Sequence, residues 1–139
     1  GPRKGEYSGN PAGKNPSDVW DIPNVKANHI EKTGHPCQFP VAVPQRLIKA
    51  LSQENDLILD PFCGSGSTGV AALLEKRRFL GAELNKGYCA IAQNRLEQTQ
   101  RGEVRVRPLD QQVHIPNPNS ALATRPPHFG SSLKKLLNE

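Results

Sequence analysis

Three short features carry chemistry by residue type and spacing. Asp60 ends an apolar run, LILD at 57–60. Gly64, Gly66 and Gly69 follow within ILDPFCGSGSTG, residues 58–69. Glu83 closes a second apolar run 19 residues after Gly64. The glycines fit G-x-G-x-x-G, in which backbone without Cβ atoms approaches a ligand closely. If a helix follows the turn, its free N–H groups favour a negative ligand group. An acid at the end of the next strand can accept hydrogen bonds from two ribose hydroxyls. No Lys-Ser/Thr pair follows the glycines, so the turn is not a P-loop.

Asp60 discriminates between ligands. A pyrophosphate would meet this carboxylate across a short gap in a low-dielectric site, which is repulsive. S-adenosylmethionine (SAM) instead carries an ammonium and a sulfonium, and no phosphate. Its ammonium suits Asp60, and its carboxylate suits the N–H groups of the turn. The order Asp60, Gly64, Glu83 therefore favours SAM over a nicotinamide dinucleotide. A dinucleotide-binding fragment and a non-catalytic scaffold remain as alternatives.

The flanking pattern supplies elements to hold these residues. Leu47, Ile48 and Leu51 predict a helix over 43–52, with Pro44 tolerated in its first turn. LILD predicts a buried strand. A second helix is expected over 67–76, with Ser67 and Thr68 suited to its start. RFLGAEL, 78–84, reads as the next strand. A third helix is expected over 86–99, burying Ala90, Ile91, Ala92 and Leu96. VRV at 104–106 reads as a further short strand, and DVWDIP at 18–23 as an extended segment closed by Pro23. Strand, glycine turn, helix, strand is a βαβ unit with parallel strands. The predicted class is α/β: a partial Rossmann-like fold with an incomplete parallel sheet, completed by another chain or domain.

The chain has 139 residues and a net charge of +5. That length allows one modest domain, and the dense apolar content lies only between about Val41 and Leu96. The expected division is a flexible segment over 1–17, a ligand-binding half domain over 18–110 and an extension over 111–139. The extension would carry a short amphipathic helix over 131–138, whose Leu133, Leu136 and Leu137 suit docking on a partner. Gly1-Pro2 reads as the scar of a cleaved tag. The mild basic excess suits a phosphate-rich partner without requiring one. Three cysteines with no CxxC indicate neither a disulfide framework nor a zinc site, and point to a reducing compartment. No metal is expected. No stretch reads as a membrane span or a signal peptide.

The remaining candidates read as structural. Trp20 is expected to anchor a domain edge, and Cys63 to be a small filler rather than a nucleophile. His29, His114 and His128 are expected in solvated loops. KRR at 76–78 is expected on a solvated face, and RVR at 105–107 on a solvated face or near phosphates.

Residues 35–96, HPCQFP through DPFCGSGSTG and GAELN to NRL, resemble the SAM-binding half of amino-group DNA methyltransferases. These are the N6-adenine and N4-cytosine enzymes of the permuted class called beta. GKNPSDVWDIPNV, 13–25, resembles the segment leading into that half. The likeness covers roughly residues 9–100. It implies that Asp60 faces the methionine amine, and that Phe62 with Cys63, Gly64 and Gly66 walls the site. It puts Ser67 and Thr68 near the methionine end, which His35 and Gln38 help to close. It gives Glu83 the ribose hydroxyls and sets Leu84 and Asn85 beside the adenine. Many relatives have Lys where this chain has Phe39, so a charged contact is missing or replaced there.

The resemblance also implies what is absent. The family's catalytic motif, Asp/Asn/Ser-Pro-Pro-Tyr/Phe, holds the target amine and stacks on the flipped base. In the permuted class it precedes the SAM half, and nothing upstream here matches it. RPPHF at 125–129 lies downstream, begins with a cation and reads as a linker. The expected protein is therefore the SAM-binding subunit or fragment of a site-specific DNA methyltransferase, with a naturally split enzyme favoured over a piece cut from a longer chain. Its partners would be duplex DNA and a second polypeptide carrying the catalytic motif and the target-recognition region. Adenine N6 is favoured over cytosine N4. The setting would be the cytoplasm of a prokaryotic cell, or a phage genome, in restriction-modification. The chain alone would be inactive.

Overall fold

The computed structural model describes residues 19–109 together with 111, 113 and 117. The chain divides into two units, Gly1–Leu109 and Asp110–Glu139, and every element below lies in the first. The expected segment 1–17, the helix over 131–138 and RPPHF lie outside the described residues, as do His114 and His128.

The element order is α1 Ala42–Leu51, β1 Leu57–Asp60, α2 Ser67–Leu74, β2 Arg78–Gly81 and α3 Lys86–Gln100. β1 and β2 pair in parallel, Leu57 with Arg78 through Asp60 with Gly81. This is the expected βαβ unit, with α2 as its crossover. Helix α2 packs against α1, α3 and both strands. Its small residues permit this central position: Ala71 and Ala72 are buried, as is Val70. With Val41 and Ile48 they form the core, and Ile58, Phe79, Leu96, Val104 and Val106 pack around it.

Among the described residues, only one face of the sheet is covered. Ile58 and Phe79 point towards the core. Leu57, Leu59 and Leu80 point the other way and are 52%, 64% and 57% exposed. The alternation of strand side chains puts these three on one face, so the bare surface is a continuous apolar patch. The sheet is incomplete, as the patterning predicts.

Local chemistry explains the ends of the elements. Pro44 lies in the first turn of α1, where its missing N–H costs nothing. Helix α2 closes with Arg77 N–H donating to the Ala72 carbonyl and Lys76 N–H to Leu73. That is the Schellman pattern, with Lys76 in the left-handed region at φ 59°. Helix α3 starts at Asn85, whose side-chain oxygen accepts from the N–H groups of Gly87 and Tyr88.

Several expectations change. VRV is not a strand: Val104 and Val106 pack on the core, but Arg107 N–H donates to the Glu31 carboxylate at 3.0 Å, not to a strand. The described part of DVWDIP has no strand pairing either. The second strand stops at Gly81, and 82–84 form the bend that leads into the Asn85 cap. In α1 only Ile48 of the three expected residues is buried; Leu47 and Leu51 are exposed, and Leu47 lines an open groove beside Ile58 and Leu59. Ala90 is exposed, and the buried side of α3 runs through Ala92 and Arg95.

Two basic or titratable groups are less solvated than expected. Arg77 is half-buried and ties α2 to the end of α1, donating to the Ser52 hydroxyl and carbonyl at 3.0 and 2.6 Å and to the Glu75 carbonyl. His29 is half-buried, with Nδ1 accepting from Glu31 N–H at 3.2 Å. Trp20 carries the Arg46 guanidinium 4.9 Å from its ring centroid, as an edge anchor would.

Candidate cofactor site at the strand tips

The site is built where β1 and β2 end. Parallel strands put their C-terminal tips on the same side, which is where ligands bind in open α/β sheets. Asp60 is the last residue of β1, and its Oδ1 accepts from Phe62 N–H at 3.0 Å. The chain then turns. Cys63 N–H donates to the Ala82 carbonyl at 2.9 Å, which holds the turn against the bend after β2. Gly66 N–H donates to the Cys63 carbonyl at 2.7 Å.

Two glycines here are required by geometry. Gly64 and Gly66 have φ of 51° and 77°, in the left-handed region. A Cβ on Gly64 would lie 3.1 Å from His35 Nε2, and one on Gly66 would lie 3.0 Å from the Ala92 Cβ. The turn is thus pressed between the His35 loop and α3.

Glu83 ties the second strand to this turn. Its Oε2 accepts from Gly64 N–H at 3.0 Å, and its Oε1 from Asn85 N–H at 2.8 Å. Each oxygen keeps a free lone pair. Glu83 lines a cleft of about 380 Å³ with Pro61, Phe62, Ala82 and Leu84. Phe62 is 87% exposed and Leu84 is 99% exposed. An acceptor carboxylate between two exposed apolar side chains suits a flat apolar ring joined to a diol. Asp60 opens onto a different groove of about 350 Å³, with Phe39, Leu47, Ile58, Leu59 and Thr68.

His35 lies on the turn's outer side. Its ring meets Tyr88 edge-on, with centroids 4.3 Å apart, and its Nδ1 accepts from Cys37 N–H. Tyr88 was not expected at the site; its signal is its position three residues after the helix-capping Asn85. Cys63 is buried in the turn. Burial, and then the charges of Asp60 and Glu83, push its thiol above the ordinary range, which suits a filler and not a nucleophile.

Two expected residues face inwards. Gln38 is 5% exposed; its Oε1 accepts from Thr33 N–H and hydroxyl, and its Nε2 donates to the Glu31 carbonyl. Ser67 is 1% exposed and donates to the Phe39 carbonyl at 2.9 Å. It does not cap α2; Gly66 holds that position without a side-chain bond. Both residues hold the HPCQFP loop rather than the open clefts.

Sequence reading missed the buried groups beneath the turn. Glu31 is 2% exposed and accepts from the N–H groups of Val41 and Arg107. Arg95 is 5% exposed and reaches the turn from α3. The available signal was a cation in register with Ala92 on the buried side of that helix.

Comparison with known proteins shows the family. The chain is 48% identical over 92 residues to the type II methyltransferase M.BglII of Bacillus subtilis, covering 66% of this chain and 26% of that protein. It is 42% identical over 84 residues to the DNA adenine methyltransferase YhdJ of Escherichia coli K12, covering 60% of this chain and 29% of that protein. Among solved structures, PvuII DNA methyltransferase (cytosine-N4-specific) matches with a TM-score of 0.51 and 29% identity, covering 56% of this chain and 30% of that one. The chain therefore spans between a quarter and a third of the length of these relatives. A family model described as DNA methylase, of the N6/N4 methyltransferase type, matches residues 2–94, and the chain belongs to that family.

Proposed function

We propose that this chain is the SAM-binding part of a site-specific DNA methyltransferase, acting with a partner polypeptide that carries the catalytic motif and the target-recognition region. The observation that carries the reading is the pair of acids at neighbouring strand tips around a left-handed glycine turn, with Glu83 bonded to Gly64 N–H. SAM fits this donor set. Asp60 offers a carboxylate to the ammonium, and the first turn of α2 offers N–H groups to the methionine carboxylate. Glu83 offers lone pairs to the ribose diol, and Phe62 and Leu84 offer apolar cover to the adenine. His35 and Thr68 border the methionine end, while Gln38 and Ser67 support it from within. Neither acid has to act as a base. When bound, SAM supplies an electrophilic methyl group.

The target is adenine N6 in duplex DNA, extruded from the stack into the partner's pocket. Cytosine N4 is the second reading, supported by the cytosine-N4-specific PvuII structure among the matches. No described helix is long and apolar enough to cross a membrane, in keeping with a cytoplasmic enzyme.

The test is calorimetric titration of SAM into the chain, alone and with a candidate partner, beside Asp60→Ala. Binding that Asp60→Ala abolishes supports the site. No binding in either state would reject it. Methyl transfer from labelled SAM, followed by nucleoside analysis, separates N6-methyladenine from N4-methylcytosine.

A further inference from the structure

We infer that Arg95 is a positioning residue for the glycine turn, fixing the orientation of the backbone that meets the cofactor's methionine end; this rests on the SAM reading above. Arg95 lies on α3, distant in sequence from the turn, yet its Nη1 donates to the Ser65 carbonyl at 2.7 Å. The same nitrogen lies 3.3 Å from the Ser65 hydroxyl and 3.2 Å from the Ser67 hydroxyl. Ser67 passes the contact on by donating to the Phe39 carbonyl. One guanidinium therefore joins α3, the turn and the HPCQFP loop.

The cost of this arrangement argues for a purpose. A buried cation is unfavourable unless it is paired and fully hydrogen-bonded. No ion pair joins Arg95 to a described carboxylate. Its Nη2 has no acceptor. Glu31 lines the same cavity of about 250 Å³, but its carboxylate accepts from two backbone N–H groups. What Arg95 does satisfy is the inner side of the turn.

That choice has a directional consequence. Between Gly64 and Gly66, both left-handed, the Ser65 carbonyl is drawn inwards to the cation. That peptide plane is held at both ends, because the N–H of Gly66 on its other side donates to the Cys63 carbonyl at 2.7 Å. The Ser65 carbonyl therefore cannot swing towards an incoming carboxylate, and the turn is set before the ligand arrives. Such preorganisation raises affinity by removing the ordering cost. Lysine keeps the charge, but its side chain is one atom shorter than the path to Nη1, so its ammonium falls short of the three oxygens that Nη1 reaches.

The experiment uses Arg95→Lys and, as a milder change, Ser67→Ala in the full chain with its partner. Affinities are measured for SAM and for 5′-methylthioadenosine, which lacks the amino-acid end. Backbone amide resonances of Ser65 and Gly66 are recorded without ligand. Arg95→Lys is expected to weaken SAM at least about tenfold while 5′-methylthioadenosine changes less than about twofold. Ser67→Ala is expected to show the same selectivity on a smaller scale, and the two amides to shift in both variants. Equal loss for both ligands would mean a general structural role and overturn the inference, as would unchanged amides. If the unsubstituted protein binds neither ligand, the SAM reading fails by itself, and the amide shifts still decide whether Arg95 sets the turn.

Discussion

The Gly64 N–H donates to Glu83 Oε2 at 3.0 Å, joining the turn after β1 to the bend after β2. The other carboxylate oxygen accepts from Asn85 N–H, so one acid fixes both the turn and the start of α3. Glu83 is thereby oriented before any ligand arrives. Glu83→Ala should remove both bonds and, on the proposed function, the ribose contact with them. The expected outcome is loss of stability by about 1–2 kcal/mol and a fall in SAM affinity of more than about tenfold. Glu83→Gln keeps one acceptor and should lie between the two. Urea unfolding and calorimetry on the three proteins check this; an alanine variant with unchanged affinity would remove Glu83 from the site.

Gly66 should tolerate no side chain. Its φ is 77°, and an added Cβ would meet Ala92 at 3.0 Å. Strain in the left-handed region alone costs about 1–3 kcal/mol, and α3 must also shift. Gly66→Ala is expected to destabilise by at least that amount, whereas Gly102→Ala, at φ 73° with open space around it, should cost only the strain. Comparing the two variants by chemical denaturation isolates the contact with Ala92. Equal losses would show that α3 yields freely.

Much of this site could be read from residue order, and the reason is local. LILD matches β1 in its bounds, because a short apolar run between Asn55-Asp56 and a glycine turn has few alternatives; it is not the buried strand expected, since Leu57 and Leu59 lie on the bare face of the sheet. The starts of α2 and α3 are equally local: one follows the left-handed Gly66, and the other follows the Asn85 cap. What could not be read depends on distant partners. Val-Arg-Val alternates like a strand, yet its neighbour proves to be the Glu31 carboxylate, 76 positions away from Arg107. Ser67 has the composition of a cap, but its hydroxyl is taken by the Phe39 carbonyl. Gln38 and Arg95 are polar residues that burial converts into internal ties, and periodicity does not price such exceptions.

Cysteine reactivity offers a pH-dependent check. Cys37 and Cys89 are exposed and Cys63 is buried. The Cys63 thiol is raised by burial and by the charges of Asp60 and Glu83. A folded-state value above the unfolded one makes deprotonation favour unfolding. The contribution of Cys63 to stability is thus complete below the unfolded thiol value and falls as the pH rises through the folded one. At pH 8, Cys37 and Cys89 are expected to react with a thiol reagent readily and Cys63 only slowly, with all three equal in denaturant. In Cys63→Ala the alkaline decline should be shallower. Mass spectrometry of the labelled protein reads the first outcome, and equal labelling in the folded state would contradict the buried turn.

The bare sheet face gives the last prediction. Leu57, Leu59 and Leu80 stand exposed on one side of β1 and β2, and neighbouring Leu59 also borders the groove beside Asp60. On the proposed function, an apolar patch of this kind is the surface that the proposed catalytic partner covers. The patch adds little to the stability of the chain itself, because its residues gain no burial there. Leu59→Thr and Leu80→Thr should therefore change unfolding free energy by less than about 0.5 kcal/mol, since threonine brings a β-branched shape suited to a strand. The same changes should lower binding of a hydrophobic dye to the isolated chain and weaken its association with the catalytic partner. A large loss of stability in either variant would mean that this face is already covered within the chain. Unchanged dye binding and association would mean that the partner docks elsewhere.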